Sequence, residues 1–159
     1  MKECVDLGGR RIIKKIFFFQ AEDGIRDPSS GLGIPAEPLF RSDWARLGQL
    51  YLDDGVVGGR RILPAGWVDY VSTPTPDAFV GIGAGFWTNR GDSFGANYRI
   101  SHGWPRDAFF AKGTLGQYVI VIPSERLVIA RFGRTVNWPP EVDGVARLVS
   151  DVIAATHGE

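Results

Sequence analysis

The chain reads as an α+β domain, an antiparallel sheet with a C-terminal helix packed on it, and three stretches carry that reading. Residues 118–122 and 127–132 are runs of β-branched and aromatic residues. They flank the polar break Pro123-Ser124-Glu125-Arg126, the pattern of two buried antiparallel strands joined by a tight hairpin. Pro123 has no N–H to give a ladder, so it stands where the first strand ends. After Pro139 and Pro140, the residues Val142, Val145, Leu148, Val149, Val152 and Ile153 form one apolar stripe at helical spacing, which predicts a last helix lying across the sheet.

Length and composition narrow the class. The 159 residues leave room for one domain. Hydrophobic residues at 44% and charged ones at 23% match a globular protein rather than a disordered one. A formal net charge of zero points to neither nucleic acid nor an anionic membrane as partner. One cysteine, Cys4, excludes an internal disulfide, and no Cys/His cluster has metal-site spacing, so no metal or other cofactor is implied. No apolar run approaches the ~20 residues that span a bilayer. No small-residue cleavage site follows Ile12-Ile13 or Phe17-Phe18-Phe19, so no signal peptide is read, and the compartment stays open.

Taken in order, residues 1–33 fall outside the predicted fold. Residues 15–27 pack three Phe together and then show no period of two or 3.6. The codons CAA GCA GAA GAC GGC ATA CGA GAT encode residues 20–27, so residues 15–33 resemble a translated sequencing-library adapter. A non-native or disordered leader is therefore expected over 1–33, and the domain over 34–159. Ser42 is a candidate N-cap with Asp43 in the first turn. Trp44, Leu47, Leu50 and Tyr51 then predict an amphipathic helix over 43–52 with that face buried, stopped by Asp53-Asp54-Gly55. Residues 60–63 are extended, Pro64 opens a short helix ending near Val71, and 72–77, with two prolines, is a loop. The sheet strands are 84–89, 108–122 and 127–132, with 98–100 a candidate partner of the first.

Gly113 and Gly116 interrupt the strand 108–122, where glycine either lets a ligand approach or allows a bend. Around them, Gly113-Thr114-Leu115-Gly116-Gln117-Tyr118 runs into Val-Ile-Val-Ile-Pro and then Leu-Val-Ile-Ala-Arg. Upstream stand Asp43-Trp44-Ala45-Arg46, Tyr51-Leu52-Asp53-Asp54-Gly55, Arg61-Ile62-Leu63-Pro64 and Gly66-Trp67-Val68. In this order, over residues 40–155, the parts resemble the C-terminal region of the serine β-lactamase-related hydrolases. That superfamily holds class C β-lactamases, D-Ala-D-Ala peptidases, esterases and aminohexanoate-dimer hydrolases. The resemblance implies part of a β-lactamase/transpeptidase-like domain. It also implies an intact parent that cleaves a small-molecule amide, ester or β-lactam through an acyl-serine.

Such chemistry needs a serine activated by a lysine one helical turn later, a tyrosine for proton transfer, oxyanion donors and a strand edge. The family's Ser-x-x-Lys and Tyr-x-Asn motifs occur nowhere in this sequence. The chain is therefore expected to be inactive alone. By the resemblance, Thr114-Leu115-Gly116 corresponds to the third motif, Lys-Thr-Gly or His-x-Gly. Thr114 would face the cleft as a hydrogen bonder, Gly116 would keep the strand open to substrate, and the Gln117 N–H would be one oxyanion donor. The family's N-terminal strands and helical region have no counterpart here, so an exposed sheet edge, apolar surface and self-association are expected.

Two other readings stand beside this one. A non-catalytic binding or structural module of the same fold would have dropped the chemistry. An unrelated α/β-hydrolase would use Ser93, because Gly91-Asp92-Ser93-Phe94-Gly95 matches the nucleophile-elbow pattern. An elbow needs a helix after it, and 94–102 lacks helical apolar spacing, so a chance match is expected. His102 adjoins Ser101, but adjacency alone does not make a base–nucleophile pair. The five tryptophans read as core or cleft packing.

Overall fold

A computed structural model describes residues 15–20, 38–133, 135 and 140–158. In chain order it contains strand β1 (Lys15–Gln20), helix α1 (Pro38–Leu52), strands β2 (Val56–Val57) and β3 (Arg60–Arg61), and helix α2 (Trp67–Ser72). Strand β4 (Trp87–Thr88), helix α3 (Phe94–Ser101), strands β5 (Phe109–Gly113), β6 (Gln117–Ile122) and β7 (Leu127–Phe132), and helix α4 (Pro140–His157) follow. The class is α+β, with antiparallel pairing from β4 through β7 and a C-terminal helix on the sheet.

The main sheet has the order β1-β7-β6-β5-β4. Alternation along its strands separates two cores. Phe110, Tyr118, Ile120, Ile122, Leu127 and Ile129 pack under α4, against Val145, Val149 and Val152. Phe109, Val119, Val121 and Val128 face the other way, towards Leu52 of α1. Because both faces are covered, β6 reads as a continuous apolar run rather than as alternating residues.

Helix α1 differs from its predicted form in start and in face. It begins at Pro38, a residue suited to the first helical position because its missing N–H would be unsatisfied there anyway. Ser42 therefore lies inside the helix and is not its cap. Trp44 and Leu47, expected in the core, are 46% and 36% exposed, whereas Ala45 and Leu52 are 1% and 8% exposed. Between these last two, Gly48 lies so close to the sheet that a Cβ would stand 2.6 Å from Val128 Cγ1 and 2.9 Å from Val119 Cγ1. Small residues bring this helix down onto β6 and β7. The predicted stripe is therefore right only at its C-terminal end, where Leu50 and Tyr51 are half-buried and Tyr51 packs against Phe86 and Phe109. A hydrophobicity pattern gives Ala and Gly little weight and so misses the close approach through Ala45 and Gly48.

Three further expectations change in the sheet. Of 84–89, only Trp87–Thr88 is strand, and it pairs with β5 in the register Trp87↔Phe110 and Thr88↔Phe109. Residues 98–100 belong to α3, not to a strand. The stretch 108–122 is not one strand but the hairpin β5–β6, because Leu115 and Gly116 take φ of 61° and 81° and reverse the chain. Finally, Lys15–Gln20, inside the segment left out of the predicted fold, pairs in parallel with β7 from Lys15↔Leu127 to Gln20↔Phe132. An Ile and three Phe in succession have strand propensity, and an open β7 edge offers them a ladder. The rest of the predicted leader lies outside the described residues.

The small hairpin β2–β3 turns at Gly58 and Gly59, both at positive φ, as a tight two-residue connection demands. A short helix ends near Val71 as expected, but α2 starts at Trp67 with Gly66 as its N-cap, so Pro64 precedes the helix rather than opening it. The two-proline loop follows α2. The sheet ends in the two-residue strand β4, and Tyr70, Phe79 and Phe94 add exposed apolar surface. Among the described residues no helix is long and apolar enough to cross a membrane.

The position of α1 sets opposite outcomes for two neighbouring substitutions. Gly48→Leu should overpack the helix–sheet contact and cost about 1–3 kcal/mol, whereas Trp44→Glu should change stability by less than ~0.5 kcal/mol. Urea unfolding midpoints measure both, and a larger loss for Trp44→Glu would contradict this placement.

Candidate functional site

The motif residues meet at the β5–β6 turn, which the pair Gly113↔Gln117 closes. Thr114 is exposed at its tip, and its hydroxyl makes no hydrogen bond among the described residues. Leu115 adopts the left-handed region that costs a side-chain-bearing residue roughly 1–2 kcal/mol. The strain is held from β7. Arg131 Nη1 donates to the Gly116 carbonyl, and its Nη2 donates to Thr135 Oγ1 at 2.7 Å. The Thr135 N–H donates to the Leu115 carbonyl at 2.9 Å. Gln117 Nε2 donates to the Gly133 carbonyl at 2.8 Å, and the buried Gln117 Oε1 has no partner among the described residues.

This geometry revises one expected role. Gly116 is buried in a turn, with its carbonyl engaged by Arg131, rather than lying on a strand open to substrate. Thr114 keeps a free hydroxyl at the surface, and Gln117 opens β6 directly behind it. The turn brings the three together and can present a hydrogen-bond donor to a ligand.

The other serines are engaged differently. A helix does follow Ser93, contrary to expectation, because the buried face of α3 is Ala96 and Arg99 and so shows no apolar period. Ser93 has φ −64° and ψ 151°, ordinary extended backbone rather than the strained turn of an elbow. Its hydroxyl caps α3, accepting from the Ala96 N–H at 3.2 Å. Ser101 Oγ lies 3.2 Å from His102 Nδ1, but that nitrogen is 2.7 Å from the Tyr98 carbonyl, which can only accept. Nδ1 therefore carries a proton and cannot take one from Ser101.

A second arrangement, not read from the sequence, lies between α3, α4 and the sheet. Arg99 is only 6% exposed, and no carboxylate among the described residues pairs with it. Instead its Nε donates to Asn89 Oδ1 at 2.7 Å, and its Nη2 donates to the Thr88 and Val80 carbonyls at 2.9 and 3.1 Å. The guanidinium also stands 5.1 Å from the Phe110 ring centroid. Burial lowers its pKa to about 10, so it remains charged at neutral pH. Gly81 makes room for this cluster. A Cβ there would meet Ser93 Oγ at 2.5 Å, the Thr88 carbonyl at 2.7 Å and Arg99 Nη2 at 3.2 Å.

Arg99 borders a cavity of about 250 Å³ that also takes in Trp87, Tyr98, Trp104, Phe110 and Lys112. The signals that could have found it were a lone arginine on the buried face of a polar helix and two tryptophans bracketing that helix. On the rim, the Tyr98 hydroxyl donates to Asp143 Oδ1 of α4 at 2.7 Å, which raises the phenol pKa above its ordinary value of 10. Among the described residues no three His, Cys, Asp or Glu side chains converge as a metal site. Comparison with protein-family models and with curated proteins finds no match for this chain.

Two measurements check these roles. Ser93→Ala should cost about 0.5–2 kcal/mol of stability through loss of the cap, and an unchanged melting curve would contradict that role. In an alkaline absorbance titration, Asp143→Asn should move one tyrosine pKa down. The raised pKa means that this bond stabilises the fold below pH 10 and that its contribution is lost as pH climbs through the folded-state value. Identical titrations of parent and variant would exclude the link between α3 and α4.

Proposed function

We propose that this chain is the C-terminal, sheet-side part of a β-lactamase-related serine hydrolase, within a β-lactamase/transpeptidase-like fold. The intact parent would cleave an amide, ester or β-lactam bond through an acyl-serine. The observation that carries the reading is the order of parts. The Gly-Thr-Leu-Gly-Gln turn opens β6, the β6–β7 hairpin follows in an antiparallel sheet, and α4 closes one face. This is the order in which the resembled motif region lays out its elements.

In that parent, Thr114 would hydrogen-bond the substrate from the turn, and the Gln117 N–H would be one of the donors facing the developing oxyanion. Such donors stabilise charge only after a nucleophile has attacked. With no Ser-x-x-Lys and no Tyr-x-Asn, this chain forms no acyl-enzyme by itself. Its short terminal strand β4 and its exposed aromatics favour association through the sheet edge. A non-catalytic binding module of the same fold is the second reading. One observation favours it: the Arg99 cavity owes nothing to acyl transfer.

Resequencing the source locus across the codons for residues 1–45 and upstream is the deciding experiment. An in-frame Ser-x-x-Lys ahead of residue 40 is the expected result, and a start at Met1 that survives resequencing would overturn the proposal. Alongside it, a fluorescent penicillin and an activated ester should leave this chain unlabelled. Stoichiometric covalent labelling would overturn its assignment as inactive.

A further inference from the structure

The chain holds two histidines, and each faces a carboxylate. His157 Nε2 stands 2.7 Å from Glu125 Oε2, so its ring N–H donates there directly. His102 Nε2 stands 3.8 Å from Asp143 Oδ1, outside hydrogen-bond reach. The two pairs are alike in chemistry and differ in separation, and the separation decides what can stand between the partners.

His102, the C-cap of α3, is held in one orientation. Its Nδ1 gives its proton to the Tyr98 carbonyl at 2.7 Å, so in the neutral ring Nε2 keeps its lone pair, and Nε2 is the nitrogen that meets Asp143. The ring also stacks on that of Tyr98, with centroids 4.2 Å apart and 28° between planes. The next residue, Gly103, lies so near α4 that a Cβ would stand 2.5 Å from Ser150 Oγ. Asp143 is fixed as well, because its Oδ1 accepts from the Tyr98 hydroxyl at 2.7 Å. An imidazole whose other N–H binds a carbonyl, beside a carboxylate that is itself hydrogen-bonded, is how metal ligands are oriented.

We infer that His102 Nε2 and Asp143 form a two-ligand site for a divalent transition metal of the zinc class, bridging the end of α3 to the first turn of α4. Bonds of about 2.0–2.2 Å to nitrogen and oxygen set two ligand atoms of a tetrahedral ion roughly 3.4 Å apart. The observed 3.8 Å is a few tenths of an ångström wider, which a small side-chain rotation closes. At His157 the 2.7 Å contact is too short to admit an ion. The side chains of His102 and Asp143 are 38% and 49% exposed, so water can complete the coordination. One imidazole nitrogen suits zinc, nickel or copper and disfavours magnesium and calcium, which take oxygen ligands. An ion here would staple α3 to α4 and so stabilise the folded chain. The site uses no residue of the Thr114–Gln117 turn and does not depend on the acyl-transfer reading.

The test is titration of the full chain with zinc chloride, followed by calorimetry, thermal melting and histidine ¹⁵N NMR. One zinc per chain should bind with a dissociation constant below about 1 mM, and the melting temperature should rise with zinc. The Nε2 resonance of His102 should move more than its Nδ1 resonance. His102→Gln and Asp143→Asn should each weaken zinc at least about tenfold, whereas His157→Gln should bind zinc as the parent does. Magnesium should produce no response. The NMR shift is read in the parent chain, so it decides the matter even where a variant folds poorly. No zinc uptake below about 1 mM, a zinc response at His157 in place of His102, or full affinity in His102→Gln or Asp143→Asn would each overturn the assignment and leave an imidazolium–carboxylate ion pair only.

Discussion

Strands β6 and β7 carry apolar side chains on both faces, and no single covering layer can bury them. This constraint organises the molecule. One helix must lie on each side of the hairpin, and α4 and α1 take the two places. They do so by different means. Helix α4 brings a broad stripe of Val and Ala to the larger core. Helix α1 brings Tyr51 and Leu52 to the smaller core at its C-terminal end and elsewhere gains its contact by approaching closely through Ala45 and Gly48. The first is a packing of shapes, the second a packing of backbones against methyl groups, and the second tolerates added volume less well.

The α4 face has a second constraint, the buried charge of Arg99. A guanidinium removed from water without a carboxylate partner among the described residues is costly, and here the offset comes from two oxygens at β4, the Val80 carbonyl and one aromatic face. Those contacts explain why the sheet stops at a two-residue β4. Thr88 and Asn89 turn their acceptors towards the guanidinium, and Asn89 uses its amide to hold the Pro105 carbonyl at 2.9 Å. Helix α3 is thus located by a polar anchor rather than by an apolar stripe. The cavity next to it follows from the same choice, because one polar anchor leaves space that an interlocked apolar contact would have filled.

The Thr114–Gln117 turn shows the same economy at the other end of β5. Leu115 and Gly116 are held at positive φ by hydrogen bonds reaching back from Arg131 and Thr135, so β7 stabilises a turn it does not adjoin in sequence. The motif residues owe their positions to this strap. Thr114 projects from it with a free hydroxyl, and Gln117 is tied to Gly133. A rigid turn presenting an unengaged donor is what ligand positioning requires.

Much of the sheet was legible in the sequence. The 118–122 and 127–132 runs, the Pro123 break and the 142–153 stripe map onto β6, β7 and α4, because strong local patterns there agree with the global packing. The candidate residues Thr114 to Gln117 were legible as a cluster, but their geometry as the β5–β6 turn was not. Glycine in a strand pattern reads equally as bend, bulge or turn, and only the returning bonds from Arg131 and Thr135 decide for the turn. The sequence by itself determined the α+β class, the central hairpin and the last helix, since hydrophobic periodicity is local. Tertiary structure alone decided which face of α1 is buried, that residues 94–101 are helix, that Lys15–Gln20 joins β7, and that Arg99 lies beside a cavity. The reason is physical. Each of these depends on a close approach or a polar bond between residues distant in the chain, and such contacts leave no period in the sequence.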